Sequence, residues 1–223
     1  MTPTFSVKSR VAAAVVQPGV HARLHPAYAI ERFAAALLLI LLSPLLLLLV
    51  IAIAVLSRSG PFVRHARVGW RGESLRMLKF RTMWGGEAAV GRFQFIEDVC
   101  GPPMGDKRAE DARVTSRFAA VCRRYSLDEL PQLWHVLRGE MSLVGPRPIT
   151  RIELETHYAN CMAEVLSMRP GMTGLWQVMG RNDLTYSTRR RLDRILVRRA
   201  SVSLYLAVLL RSIPCVINGK GAY

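Results

Sequence analysis

Residues 33–56 read FAAALLLILLSPLLLLLVIAIAVL. The run carries no charge and is long enough to cross a hydrocarbon core as a helix, so the chain resides at a membrane. Ser43-Pro44 interrupts it near the middle, where proline removes a backbone hydrogen bond and kinks a helix. Basic residues flank it on both sides, Arg23 and Arg32 before it, then Arg58, Arg64, Arg67 and Arg71 after it. The positive-inside tendency would hold both flanks in the cytoplasm. A kinked helix that enters and leaves by one leaflet satisfies both, whereas an ordinary spanning helix with a proline kink leaves one basic flank outside. The expectation is a re-entrant anchor over residues 27–58, with the straight span as its alternative.

The rest of the composition agrees with a membrane and an anionic partner. Hydrophobic residues make up 51% of the 223, yet 31 Lys plus Arg face 16 Asp plus Glu, a formal net charge of +15. Nearly all of these cations are arginine, whose planar fork suits phosphate better than a lysine point charge does. A GC-rich genome produces the same bias, so the count assigns no site by itself. Cys100, Cys122, Cys161 and Cys215 lie far apart and form no CxxC pair, which argues against a metal knuckle or redox motif and for reduced, mostly buried thiols. Residues 1–26 lack a compact apolar stretch or a cleavage site and read as a variable extension, not a signal peptide. Residues 59–223 are then one cytosolic catalytic domain.

Within that domain the alternation in residues 62–68 and 74–80, joined by the turn-like Gly69-Trp-Arg-Gly72, predicts a β-hairpin. Residues 84–113, rich in Gly, Pro and charge, read as mostly loop with short helices. Helical periodicity returns over residues 117–125, 128–137, 152–167, 185–199 and 203–213. The last segment is too short to span a bilayer and belongs either to the interface or to the core. The expected fold class is mixed α/β and mainly helical. A small antiparallel hairpin is packed by helices, with a re-entrant membrane helix and interfacial amphipathic helices on the inner leaflet. Strands do not alternate with helices, which excludes a doubly wound sheet.

The chemistry concentrates in Ser126-Leu-Asp-Glu-Leu-Pro-Gln-Leu-Trp-His-Val-Leu-Arg-Gly139. Ser126 and Glu129 have capping-box spacing, or Asp128 is itself the cap, and Gly139 is a plausible stop. A helix start favours ionised carboxylates, so Asp128 would be available as a metal ligand or nucleophile. Ordinary capping accounts for such a pair equally well. Arg123 and Arg124 precede the pair and Arg138 follows it. In Gly145-Pro-Arg-Pro148, prolines on both sides hold Arg147 in a stiff turn suited to a diphosphate. Lys79 and Arg81 occupy alternating positions of a strand, and so one face of it. The loop from Arg169 to Gly174, continuing to Arg181, is rich in turns whose amides can approach phosphate.

Together these segments resemble the bacterial sugar transferases, the small monotopic phosphoglycosyl transferases. The matching pieces are the proline-broken anchor with Ser43-Pro44, Ser59-Gly-Pro61, Ala66-Arg-Val-Gly69, LKFRTM ending at Met83, SLDELPQLWHVLRGEMSLVGPRP ending at Pro148, and RPGMTGLWQVMGR ending at Arg181. The similarity runs from about Tyr28 to about Ile213, and DELPQ and GPRP are its most specific parts. The resemblance implies a re-entrant helix in the bacterial inner membrane, a cytosolic active site, Mg²⁺ dependence and a covalent phosphosugar on aspartate. Asp128 would attack the sugar-bearing phosphorus of a UDP-sugar and release UMP, and polyprenyl (undecaprenyl) phosphate would then take the group from Asp128. That is the first membrane step of exopolysaccharide or glycoconjugate synthesis. Glu129 would complete the dyad, Mg²⁺ would meet Asp128, Arg123 and Arg147 would hold phosphates, and Lys79 and Arg81 belong to a further basic motif near the site. Whether the chain forms a homodimer is left open.

Three positions depart from the family pattern. Glu31 stands where the anchor helix usually begins with Asp, and His65 where Gln is frequent. Tyr205 replaces the Asp of an S-L-x-L-D pattern in the last helix, so Asp193 or another acid must cover that role, or activity or substrate differs. Two other classes remain in view. A binder of nucleic acid or anionic lipid through Arg189-Arg-Arg191 and Arg198-Arg199 leaves DELPQ and GPRP unexplained, so nucleic acid is not an expected partner. A catalytically silent family member, acting as scaffold for polysaccharide assembly, rests on Tyr205.

Overall fold

The computed structural model describes residues 19–84, 94–99, 114 and 116–218. The apolar run lies in two helices, α1 (Gly19–Leu41) and α2 (Ser43–Ser57). Pro44 sits in the first turn of α2, where a missing N–H is tolerated. The Ile40 carbonyl, which an N–H at position 44 would have taken, instead accepts the Ser43 hydroxyl at 2.7 Å. Helix α1 passes through Pro26, so the boundary expected at residue 26 falls inside it. Residues 1–18 of the expected extension lie outside the described residues.

The hairpin is as read: β1 (Phe62–Val68) pairs antiparallel with β2 (Ser74–Phe80) in a register from Phe62↔Phe80 to Val68↔Ser74. A third strand, β3 (Ile96–Val99), runs parallel to β1 within the stretch read as loop. Four residues between glycine-rich segments carry too little alternation to reveal it. Residues 85–93 and 100–113 of that stretch lie outside the described residues.

Helix α3 (Arg117–Arg124) leads into a 3₁₀ segment, Leu127–Gln132, and then α4 (Leu133–Arg138), where the sequence suggested one helix. Strand β4 (Ser142–Val144) follows, and after α5 (Arg151–His157) and α6 (Met162–Val165) comes β5 (Gly171–Thr173), parallel to β4. The helix expected over 152–167 is thus broken by a 3₁₀ turn, Ala159–Cys161. A Cβ on Gly171 would lie 2.0 Å from the Gly145 nitrogen, so the backbones at β4 and β5 approach as closely as they do only because glycine stands there. Helix α7 (Leu175–Met179), a 3₁₀ turn at Arg181–Asp183, α8 (Tyr186–Arg198) and α9 (Val202–Asn218) complete the fold.

Both anchor helices pack on this body. Leu24, Ala27 and Tyr28 of α1 join Leu196, Val197, Tyr205 and Val208 in one core cluster, and Ala35 joins Leu75, Met77, Leu133 and Val136 in another. Leu49 and Ile53 of α2 meet Phe80 and Cys122 in a third. The opposite faces, with Phe33, Leu37, Ile40, Leu47, Leu48 and Val55, are exposed.

Candidate active site

Asp128 and Glu129 stand on the 3₁₀ segment where α3, β2 and α4 meet. The expected capping box is absent there. Ser126 has left-handed backbone (φ 56°) and makes no side-chain cap, and the Glu129 N–H reaches only the Ser126 carbonyl at 3.1 Å. A short 3₁₀ turn interrupted by Pro131 also brings little aligned dipole to Asp128. A cation does that work instead: Lys79 Nζ lies 2.6 Å from Glu129 Oε1 and 4.0 Å from Asp128 Oδ2. The capping box of this chain occurs elsewhere, between Thr150 and Glu153 at the start of α5.

The dyad is held against β2 by His135. The Leu78 N–H donates to His135 Nε2 at 3.1 Å, so the ring proton is on Nδ1, which donates to Glu140 at 2.6 Å. This ties α4 to the strand that carries Lys79. Asp128 is only 9% exposed. Burial, together with the Asp128 charge, pushes the neighbouring Cys122 thiol up to about 11, so that cysteine stays protonated.

Asp128 and Glu129 line a cavity of about 320 Å³. Arg123 from the end of α3, Arg147 from the turn after β4 and Arg181 from the turn after α7 line it too. The Arg147 guanidinium lies 5.5 Å from the Trp176 ring, which Arg189 approaches at 5.0 Å. The remaining wall is apolar, with Leu143, Met172 and Val178 facing Leu209, Cys215 and Val216 of α9. The lining thus combines three arginines and two carboxylates with an apolar wall drawn largely from β4, β5 and α9.

Arg81 and Arg169 are placed elsewhere. Strand β2 ends at Phe80, so the alternation that would set Arg81 beside Lys79 stops short of it; Arg81 binds Glu97 at 2.5 Å and the Gly60 carbonyl at 2.7 Å. Arg169 lies over the Tyr28 ring at 4.5 Å, joining the loop before β5 to α1. Trp176 and Gln177, inside the segment from Arg169 to Arg181, also line the cavity, a placement their residue types alone do not reveal.

Two of the atypical positions meet. The Tyr205 hydroxyl donates to Glu31 Oε2 at 2.5 Å, as do Ser142 Oγ at 2.8 Å and the Leu143 N–H at 2.9 Å. The acid beside Tyr205 is therefore Glu31, and Asp193 lies in a separate pocket against Tyr158. Among the described residues no group of three or more His, Cys, Asp or Glu could enclose a metal ion. Asp128 and Glu129 do offer hard oxygen donors, which suits Mg²⁺, an ion commonly held by one or two carboxylates together with substrate phosphates.

The sequence profile of the bacterial sugar transferases matches residues 25–219. The exopolysaccharide production protein ExoY of Rhizobium meliloti (strain 1021) is 41% identical over 178 residues, which cover 78% of each chain. The UDP-galactose-lipid carrier transferase of Erwinia amylovora is 43% identical over 184 residues, 78% of this chain but only 37% of that longer relative. The UDP-glucose:undecaprenyl-phosphate glucose-1-phosphate transferase of Caulobacter vibrioides (strain ATCC 19089 / CIP 103742 / CB 15) is 36% identical over 198 residues, 85% of this chain and 69% of the relative.

Proposed function

Because this chain belongs to the bacterial sugar transferase family, we propose that it transfers a sugar 1-phosphate from a UDP-sugar to polyprenyl phosphate. The observation that carries this reading is the Asp128-Glu129 pair, held by Lys79 on a cavity lined by three arginines and by apolar side chains. A diphosphate suits the arginines, and a polyprenyl phosphate suits the arginines together with the apolar side chains. The names of the relatives, galactose and glucose phosphate transferases to a lipid carrier, support the same substrate classes.

In the proposed reaction an Asp128 carboxylate oxygen attacks the sugar-bearing phosphorus. The bond from that phosphorus to the bridging oxygen breaks, and UMP leaves with the electron pair. A phosphate oxygen of the acceptor then attacks the same phosphorus and expels the Asp128 carboxylate, giving polyprenyl diphosphate sugar. Arg123, Arg147 and Arg181 orient the phosphates and screen their charge from the anionic nucleophile. Lys79 holds Glu129 beside Asp128 in its ionised form. Asp128 or Glu129 would hold Mg²⁺, which would supply further charge neutralisation at the phosphates.

A re-entrant anchor at the cytoplasmic face of the inner membrane is supported by the docking of both α1 and α2 on one body, since a helix crossing straight through would carry one half away from it. The outer face of α9, with Leu206, Leu210, Ile213 and Ile217 exposed, supports a second contact with the interface. The Tyr205 hydroxyl is bonded to Glu31, so the fold accommodates the tyrosine, and the silent-scaffold reading is left to the assay below. The test is release of UMP from a panel of UDP-sugars by detergent-solubilised protein, with and without polyprenyl phosphate and Mg²⁺. Release with one sugar, lost in Asp128→Asn while membrane association persists, is expected. Full activity of Asp128→Asn would overturn the mechanism, and no release with any sugar would overturn the reading.

A further inference from the structure

Asp193 on α8 is completely buried, at 0% exposure, and takes no part in the chemistry above. Its Oδ2 accepts the Tyr158 hydroxyl at 2.9 Å. Its Oδ1 makes no hydrogen bond of full geometry, and the Arg147 peptide N–H and guanidinium lie near enough to act on the carboxylate. Cys161, from the turn before α6, is near enough to feel its charge.

The turn Gly145-Pro146-Arg147-Pro148 explains why that peptide matters. Prolines have no N–H, so Arg147 carries the only backbone donor between Gly145 and Ile149. The neighbouring groups of the turn are tied down by backbone: Gly145 N–H to the Thr173 carbonyl at 2.9 Å, Gly171 N–H to the Pro146 carbonyl at 2.8 Å, and Val68 N–H to the Ile149 carbonyl at 2.8 Å. The peptide that sets the direction of the Arg147 side chain is the one left for a side-chain acceptor, and a buried N–H needs one.

We propose that Asp193 is the positioning residue for Arg147: its buried carboxylate receives the Arg147 peptide N–H and so aims that guanidinium at the phosphates bound in the cavity. This rests on the proposed reading only in that the cavity takes a nucleoside diphosphate. Tyr158 holds the carboxylate from the far side, so its hydroxyl belongs to the same device. Burial pushes the Asp193 carboxyl up to about 7, against the pull of Tyr158 and Arg147. An isolated acid in an apolar pocket with no partner to orient would gain little by being retained there.

The experiment measures equilibrium affinity for UDP in detergent, which needs no turnover, for the wild type, Asp193→Asn, Arg147→Gln and the double variant. At pH 8, above the titration of Asp193, Asp193→Asn should weaken UDP binding about tenfold, the scale of one hydrogen bond to a charged group. The double variant should bind no more weakly than Arg147→Gln alone, because Asp193 acts through that arginine. Additive losses, or an unchanged affinity in Asp193→Asn, would overturn the proposal. Tyr158→Phe provides the same cycle should Asp193→Asn fail to fold, with the same two outcomes. UDP binding without UMP release from any UDP-sugar would refute the proposed reaction and leave the Asp193 cycle intact, whereas a wild type that binds no UDP would overturn both.

Discussion

Replacing Tyr205 by phenylalanine removes a single hydroxyl from the surroundings of a buried acid. Glu31 is 2% exposed, and three donors converge on its Oε2, from Tyr205, Ser142 and Leu143. A hydrogen bond to a carboxylate contributes ~1.5–3 kcal/mol, and the phenyl ring keeps the packing with Leu24 and Val208, so the expected loss is about 2 kcal/mol. In a chain of this size each kcal/mol moves the thermal midpoint by about 2–4 °C, which predicts a drop of roughly 4–8 °C. Unfolding of the detergent-solubilised protein followed by circular dichroism reads it. Tyr205→Asp is the more revealing variant, because it restores the family's carboxylate on α9. With Glu31 already in place, two buried carboxylates would face each other across the space vacated by the ring, and the loss should reach about 4 kcal/mol or more. A Tyr205→Asp protein as stable as the wild type would refute the pairing of Glu31 with Tyr205, and an unchanged midpoint in Tyr205→Phe would show that the hydroxyl contributes nothing.

Lys79→Met removes the cation within 4.0 Å of both Asp128 and Glu129, and UMP release should fall roughly tenfold or more, whereas undiminished release would show that the ammonium does not support the dyad. Asp193 keeps its proton in the folded chain up to about pH 7, whereas the unfolded chain releases it near 3.8. Its contribution is fully present below that lower value and is lost as pH rises to about 7, by roughly 4 kcal/mol at ~1.36 kcal/mol per unit. Denaturant titrations across that window should show Asp193→Asn with a flatter profile than the wild type; parallel profiles would contradict it. Gly145→Ala would set a Cβ 2.2 Å from the Arg169 carbonyl and should lower the thermal midpoint by several degrees, since β4 and β5 must part to admit it.

The anchor, the hairpin and the Asp128 segment were legible because each is encoded over a short span. An uncharged apolar run, a period of two and a carboxylate pair between arginines are properties of consecutive residues. The strands β4 and β5 were not legible, since three residues hold no period and their pairing joins segments well apart in the chain. Capping spacing misled at Ser126, where a left-handed residue and Pro131 turn the segment into a 3₁₀ helix, while the capping box that does form, at Thr150 and Glu153, was not singled out in the sequence. Of the arginines singled out in the sequence, some line the cavity and others do not. Arg123, Arg147 and Arg181 reach the cavity, while Arg81 and Arg169 serve Glu97 and the aromatic ring of Tyr28, because residue type does not give side-chain direction.

By itself the sequence marked an apolar run long enough for a membrane, its break at Ser43-Pro44, the hairpin and the Asp128-Glu129 pair as a candidate, all consequences of local spacing. Only the tertiary structure decided which cation holds that pair, which arginines share its cavity and what answers Tyr205. Glu31 and Tyr205 are separated by 174 positions, and their hydrogen bond exists because α9 folds back across α1, a contact that depends on core packing and leaves no period in the chain.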